Sequence, residues 1–518
     1  MSVTITHPGV YVEEIPIGAR PIQAVGTSTA AFIGWAPRGP IDRAQRLPSF
    51  QEFGRHFGGI DRRSLLGYSV QQFFANGGRD AYVVRLAADN ALSASATLSR
   101  ALKVRARSPG RWAEEYSIEI GAQSDDPSRF RLKVLHTPPG QQAVAVESFE
   151  DLSVLPEDSR SVTRVLGAES ALVEAEVVGP PTSPPPRPPA GALAPLAGGD
   201  DGDVLAPNTA AFEAKLNPAD SGGGLGLLDR VDFDLLCVPG QTNAAAVASL
   251  QKYCGHKRVF AIVDSSENAS FSTLQGGPDP ATTGEDAINS ALYFPWVKWP
   301  DPLEENRVRD FPPSGFVAGL YARIDGTRGV WKAPAGREAV LVGATGVALV
   351  LTDEQNRTLS ARGINCIRTF PEYGTVAWGS RTQRGADHLA SQWKYVPVRR
   401  LALFIEKSLR RGTRWAVFEP NGEPLWATIR LNVGAFLHGL FRQGAFTGTS
   451  PRDAYFVKCD AETTTQRDID RAVVNIVVGF APVKPAEFVV IQIEQIACQP
   501  AGTANSRQSS VDSEDGLR

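Results

Sequence analysis

The sequence predicts a multidomain chain of mixed α/β and α+β class. Three observations carry that reading. The chain has 518 residues, more than one hydrophobic core organises. Apolar strand-like runs alternate with helical periodicity over residues 29–86 and again over 233–370, the pattern of helices laid on a mostly parallel sheet. From about residue 87 the texture changes to short alternating strands.

Composition narrows the function classes. Apolar residues make up 42% and charged residues 21%, with a formal net charge of −3, so no global charge footprint favours nucleic acid or an anionic membrane. Cys237, Cys254, Cys366, Cys459 and Cys498 are scattered and show no CxxC spacing. They read as reduced thiols of a cytosolic product, not as a zinc set. The first residues carry neither a basic n-region nor an apolar h-region, and no apolar run reaches the roughly 18 residues of a membrane span. No signal peptide and no spanning helix are expected.

Taken in order, residues 1–25 form an arm in which Val10, Tyr11, Val12 and Ile15 favour a strand, bracketed by Pro8, Pro16 and Pro21. Residues 29–35 read as a buried strand. Ser49 and Glu52 open a helix that Gly58–Gly59 closes; a second helix covers 64–75, and 81–86 is a strand. Strands follow at 102–106, 116–121, 130–136 and 143–148, then a proline-dense stretch at 180–195 that reads as a stiff surface loop. Residues 233–239, 244–253 and 258–263 make a βαβ unit. The apolar pattern continues over 340–350. Thr352 and Gln355 form a capping box for a helix closed by Gly363, and 364–370 reads as a strand leaving the domain. Beyond it come, within 393–422, a helix at 398–411 and then a strand, a long helix at 424–441, a strand at 454–459, a short helix at 465–471, strands at 473–480 and 486–495, and a polar tail.

The stretch 293–336 organises the rest. A strand over 291–299 is stopped by Pro300 and Pro302, and a polar loop runs to Asp310. Ser314 then caps a helix whose Phe316, Val317, Leu320, Tyr321 and Ile324 share one face and which Asp325–Gly326 ends. The order of pieces, YFPW, then PPSGFVAGLYARID, then RGVWKAPAG, resembles contractile tail sheath proteins. These are the shortening cylinders of contractile phages, R-type pyocins and phage-like injection systems. GVYVEE at 9–14, SPGRWAEEYSIEI at 108–120, VESFEDLSV at 146–154, LAGGDDGD at 196–203, RTFPEYGTVAWGSRT at 368–382 and the run 393–422 are similar to the same family.

The resemblance implies an organisation. Residues 26–86 with 363–497 would form an inner assembly domain, 87–203 an inserted β-rich outer domain with the proline-rich loop, and 204–362 a subtilisin-like α/β domain, with a polar tail at 498–518. It implies a subunit made in the bacterial cytoplasm that builds six-fold rings stacked helically around an inner tube. The ends of that assembly would meet baseplate and terminal cap proteins, and contraction would drive the tube through a target membrane. It implies no cofactor, no metal, no nucleic-acid partner and no stable membrane insertion. An α/β hydrolase-like enzyme and a non-contractile baseplate or cap component stay open as alternatives.

Site candidates are few. Asp234, His256 and Ser314 follow subtilisin order, yet Ser314 sits in PPSG and His256 in a turn-like Gly–His–Lys, so no catalytic residue is nominated. No GxxxxGK[ST], GxGxxG or HExxH is present. Asp200, Asp201 and Asp203 offer oxygens without the glutamate that closes a calcium loop. In the helix at 398–411, Val398, Leu401, Ala402, Ile405 and Leu409 face a core, while Arg399, Arg400, Lys407, Arg410 and Arg411 lie mainly elsewhere. They are either a solvated face with a helix-dipole bonus or, as the resemblance implies, a contact with the tube. The resemblance also assigns Val10, Tyr11, Val12, Glu13, Glu14 and Ile15, with Phe488, Val489, Val490, Ile491 and Ile493, to strand exchange between subunits.

Overall fold

The computed structural model describes residues 21–99, 102–122, 126, 129–138, 140–177, 191, 193–218 and 222–487. The predicted arm strand at 9–15, most of the proline-rich loop, and the last strand from Phe488 onward lie outside the described residues. The described residues up to 484 form one compact unit.

The first elements are β1 (Ala30–Trp35), β2 (Gln45–Leu47), α1 (Phe50–Phe57), α2 (Leu65–Ala75) and β3 (Ala81–Leu86). Ser49 and Ser64 cap the two helices by accepting the amides of Glu52 and Leu66. All six residues of β1 are buried, which requires a partner on each edge. β3 pairs along one edge and a strand at Leu235–Cys237 along the other, both parallel.

An insertion follows with its own core. It holds β4 (Ser95–Ser99), β5 (Leu102–Ala106), β6 (Tyr116–Ala122), β7 (Phe130–His136), β8 (Val144–Leu152), α3 (Val162–Glu169), β9 (Val173–Val177) and β10 (Leu193–Pro195). Two antiparallel sheets, β10-β6-β7-β8 and β4-β5-β9, enclose Ile118, Phe130, Leu132, Val134 and Leu166. The all-β expectation missed α3, whose short VxxVL face packs into that core. The chain passes in and out through a narrow neck, where Leu92 and Asp200 exchange backbone bonds of 2.9 Å each way.

The chain then returns to the first sheet. The elements are α4 (Ala210–Leu216), β11 (Leu235–Cys237), α5 (Ala244–Lys257), β12 (Phe260–Asp264), α6 (Phe271–Leu274), β13 (Ser290–Phe294), β14 (Val297–Asp301), β15 (Arg307–Phe311), α7 (Ser314–Arg328), β16 (Gly346–Val347), α8 (Asp353–Ala361), β17 (Ile364–Phe370) and β18 (Gly374–Ala377). One eight-stranded sheet runs β18-β17-β13-β12-β11-β1-β3-β2, parallel from β17 to β3 and antiparallel at its two edges. Phe53, Phe73, Phe316 and Leu320 from α1, α2 and α7 cover one face; Phe212, Val247, Leu250 and Leu359 from α4, α5 and α8 cover the other. The sequence-based grouping of 26–86 with 363–497, apart from 204–362, does not describe this sheet. β1 sits between β3 and β11, so 26–86 and 235–377 share one hydrogen-bonded body. For the same reason 364–370 does not leave the domain: it is β17, paired with β13.

The organising stretch differs in detail from its reading. The strand at 291–299 is two strands, β13 and β14, broken at Pro295–Trp296. Pro300 lies within β14, where β16 pairs only Val297 and Lys298 and leaves that edge free for a residue without an N–H. The polar loop is a hairpin, β14 with β15. α7 continues past Asp325 to Arg328, and Ser314 is its first residue, not its cap. Gly315 and Gly319 explain the GFVAG of the motif. A Cβ at Gly315 would stand 2.5 Å from the Ser69 carbonyl oxygen, and one at Gly319 would stand 2.4 Å from that of Phe73. The glycines let α7 lie directly on the backbone of α2. The apolar run at 340–350 contributes only the short β16.

The C-terminal region comprises α9 (Val396–Gly412), α10 (Glu423–Arg442), α11 (Pro451–Ala454), β19 (Tyr455–Lys458), α12 (Gln466–Asp470) and β20 (Val477–Phe480). Leu401, Phe404 and Ile405 of α9 meet Trp426, Ile429, Val433 and Leu437 of α10 in a separate core that also takes Ile22. The strand expected between α9 and Gly422 is a 3₁₀ turn and loop, with Val417 and Phe418 exposed. Among the described residues no helix is long and apolar enough to cross a membrane.

Candidate functional site

α9 carries the predicted basic cluster, and the fold splits that cluster in two. Arg400 is 4% exposed and grips Asp325 of α7 with both terminal nitrogens, at 2.9 and 2.6 Å. It also donates to the Thr27 carbonyl at 2.8 Å, and its guanidinium lies 4.6 Å from the centre of the Tyr321 ring. Burial alone would lower its pKa, but Asp325 and its other anionic neighbours outweigh that and raise it. Arg399 donates to Asn289 at 2.9 Å, meets Glu406 at 3.5 Å and stacks on Trp393; burial pulls its pKa down. Lys407 donates to Asp234 and to the Phe233 carbonyl, each at 2.7 Å. Asp234 also accepts the Thr29 amide, and its burial raises its pKa in spite of Lys407. These three cations are therefore internal fastenings of α9 to the sheet body.

Arg410 and Arg411 are different. Both are exposed, and neither has an ion pair among the described residues. With Arg414, Lys407 and Asp232 they surround a hollow of about 300 Å³ beside Val25 and Gly26. Only this end of the predicted cluster presents free positive charge to a partner.

A second surface lies across α10. β19 and β20 form an antiparallel pair to which no third strand is added among the described residues, though just past β20 Phe446 bridges Pro482. Val457, Val478 and Phe480 pack towards the C-terminal core, while Phe456 and Val477 are exposed at 52% and 44%. A two-stranded sheet is marginal by itself, and both edges offer main-chain groups to an incoming strand. The sequence reading placed strands at 454–459 and 473–480 but not their pairing, because nothing local marks a strand as an edge.

The catalytic candidates are scattered. Asp234 precedes β11, at the amino edge of the parallel sheet, and is taken by Lys407. Ser314 lies at the carboxyl edge, where its amide and hydroxyl donate to Asp264 at 2.7 and 2.8 Å. His256 belongs to α5, not to the surface turn expected of it. Asp264 itself is buried without a cation. Burial pushes its pKa up to about 6 against the opposing bonds from Gly240 and Ser314, and the amino end of α7 supplies partial positive charge. Two of the aspartates at 200–203 are engaged too: Asp201 accepts the Arg111 amide and faces Arg63, and Asp200 accepts the Gly202 amide. No group of three or more metal-ligating side chains occurs among the described residues.

Two family models match the chain: the phage tail sheath protein central domain over residues 223–383 and the phage tail sheath C-terminal domain over 390–496, together just over half of it. The chain belongs to the contractile tail sheath family. The tail sheath protein of Vibrio phage KVP40 is 27% identical over 239 residues, covering 44% of this chain and 34% of that protein. That of Burkholderia phage BcepMu is 28% identical over 200 residues, covering 36% and 41%. The matched stretches thus span less than half the length of these sheath relatives. In fold, the chain is similar to the contracted helical sheath of the anti-feeding prophage, with 24% identity, a TM-score of 0.58, and 95% and 100% of the two chains covered. It is also similar to the sheath tail protein of Listeria innocua, at 14% identity and a TM-score of 0.62 over 90% and 97%.

Proposed function

We propose that this sheath-family chain is a structural subunit that polymerises around an inner tube and shortens to drive that tube through a target membrane. The observation that carries the reading is the pair of adjoining sheath domain matches, which takes in α9, β19 and β20. The subunits stack as six-fold rings, with baseplate and cap proteins at the ends. The α/β region keeps a subtilisin-like topology without catalysis: Asp234 is held by Lys407 and Ser314 by Asp264, while His256 is an exposed residue in the last turn of α5, a separate element. Arg410 and Arg411 face the tube. Val10–Ile15 and Phe488–Ile493 of neighbouring subunits add to the free edges of β19 and β20, where main-chain bonds give affinity and alternate side chains give register. Such a head-to-tail contact propagates into a ring or helix.

Co-expression with the tube protein, followed by electron microscopy, tests this: striated cylinders that shorten on triggering are expected. Removing Met1–Ile17 leaves a folded, soluble subunit that forms no cylinder. If the truncated chain still builds sheaths that contract normally, exchange through the N-terminal arm is wrong. One likeness, to a chain of the six-fold anti-feeding prophage baseplate, at 24% identity and a TM-score of 0.56, motivates a second reading as a baseplate-proximal ring. Single rings in place of long cylinders would select it.

A further inference from the structure

We infer that residues 22–29 are a lengthwise anchor on α9, so that a pull on the chain preceding Ile22 is borne by this helix and not by β1. The inference rests on the proposed role of the N-terminal arm as the link between subunits. It stands on a series of contacts that no single feature of the sequence announces. Ile22 is buried against Gly412, where an added Cβ would stand 2.6 Å from the Ile22 Cγ2. The Val25 amide donates to the Ser408 hydroxyl at 3.3 Å. The Thr27 carbonyl accepts from Arg400, and the Thr27 hydroxyl donates to Asp325 at 2.7 Å. Finally the Thr29 amide donates to Asp234, which Lys407 holds.

The contact points descend α9 from 412 to 408 to 400 while the chain ascends from 22 to 25 to 27. The segment therefore runs antiparallel to the helix. From Arg400 to Gly412 the helix rises about 18 Å, and the chain from Ile22 to Thr27, drawn straight, covers about 17 Å. The two lengths match for a segment laid along the helix. A chain held this way and pulled past the Gly412 end loads its fastenings together, whereas one standing off the surface peels one contact at a time. The fastening at Thr27 is also the deepest: Arg400 and Asp325 are each 4% exposed. Relaxing it would uncover a buried ion pair, so the anchor is strongest where it hands over to β1.

Hydrogen exchange on the isolated, full-length subunit reads the anchor without needing a sheath. The amides of Val25 and Thr29 are expected to exchange at least tenfold slower than a free chain of the same sequence, roughly as do amides opened only by local unfolding. Ile22→Ala removes the seat, and Gly412→Ala crowds it while favouring the helix itself. Each should speed exchange at Val25 about tenfold or more and leave Phe32 and Ile33 of β1 unchanged. Optical-tweezer pulling between handles at Ser2 and Gln443 reads the load: the first yield should come at lower force in both variants. Free-chain exchange at Val25 in the unaltered protein, or a first yield indifferent to both changes, overturns the inference. A subunit that passes both tests but forms no cylinder would keep the anchor and sink the sheath reading.

Discussion

The two ends of α9 carry the same side chain for opposite ends. At Arg400 a guanidinium is withdrawn from water, paired with Asp325 and used to bind a helix to a sheet body and to the chain at Thr27. Three turns on, Arg410 and Arg411 stand in solvent with no partner among the described residues. Nothing within α9 distinguishes them. What differs is the opposing surface: α7 places Asp325 against one end, and the open hollow beside Val25 lies against the other. Basic residues on a helix are therefore a mixture of fastenings and free charges, and only the neighbouring elements sort them.

Predictions that press on this contrast fall in order of size. Arg400→Met leaves Asp325 buried without its cation, and unfolding in urea should show a loss of about 3–5 kcal/mol. A loss below about 1 kcal/mol would mean that the buried end is no fastening at all. A seam with no charge gives a control for burial alone: Gly319→Val forces α7 off the Phe73 carbonyl and should cost about 3 kcal/mol by the same measurement.

Asp264 supplies the opposite control, a buried carboxylate without a cation. Its folded pKa of about 6 lies above the ordinary 3.8. The folded state therefore binds this proton more tightly than the unfolded chain does. The resulting stabilisation is full below about pH 3.8 and is lost as pH rises through about 6. Between pH 7.5 and 5 the unaltered protein should gain about 1 kcal/mol relative to Asp264→Asn. An identical pH slope in the two would remove Asp264 from the argument.

The smallest effect on folding belongs to the exposed end. Reversing Arg410 and Arg411 to glutamate should leave stability within about 0.5 kcal/mol. Co-sedimentation with tube should nonetheless weaken, and the unaltered contact should weaken with salt, over a screening length of roughly 8 Å at physiological ionic strength. Tube binding indifferent to both would return these arginines to plain solvation.

The same contrast marks what could be read in the sequence. Caps, helical faces and the βαβ unit at 233–263 are local, and Ser49 and Thr352 cap the helices assigned to them. The family motif was legible as a string, but its cause was not: Gly315 and Gly319 matter because of Ser69 and Phe73, some 245 residues earlier. The place of residues 26–86 was missed because strand order is not local; β1 and β11 are neighbours across the whole inserted domain. Of the predicted basic cluster, helical spacing set all five residues mainly off the core face, yet Arg399 and Arg400 are buried, and the carboxylates that consume Arg400 and Lys407 lie on other elements.

The neck of the β-rich insertion has a consequence for engineering. Leu92 and Asp200 face each other as an antiparallel pair, so the two crossings are about 5 Å apart. A one- or two-residue splice spans that gap. The insertion's strands and its core around Phe130 are its own, and its ties to the sheet body gather at the base, at Arg85 with the Pro109 carbonyl and Arg63 with Asp201. The neck is thus a socket. Another compact domain whose termini lie side by side, an enzyme or a binding module, can be fitted there without a new linker and without touching α9 or the β19–β20 edge.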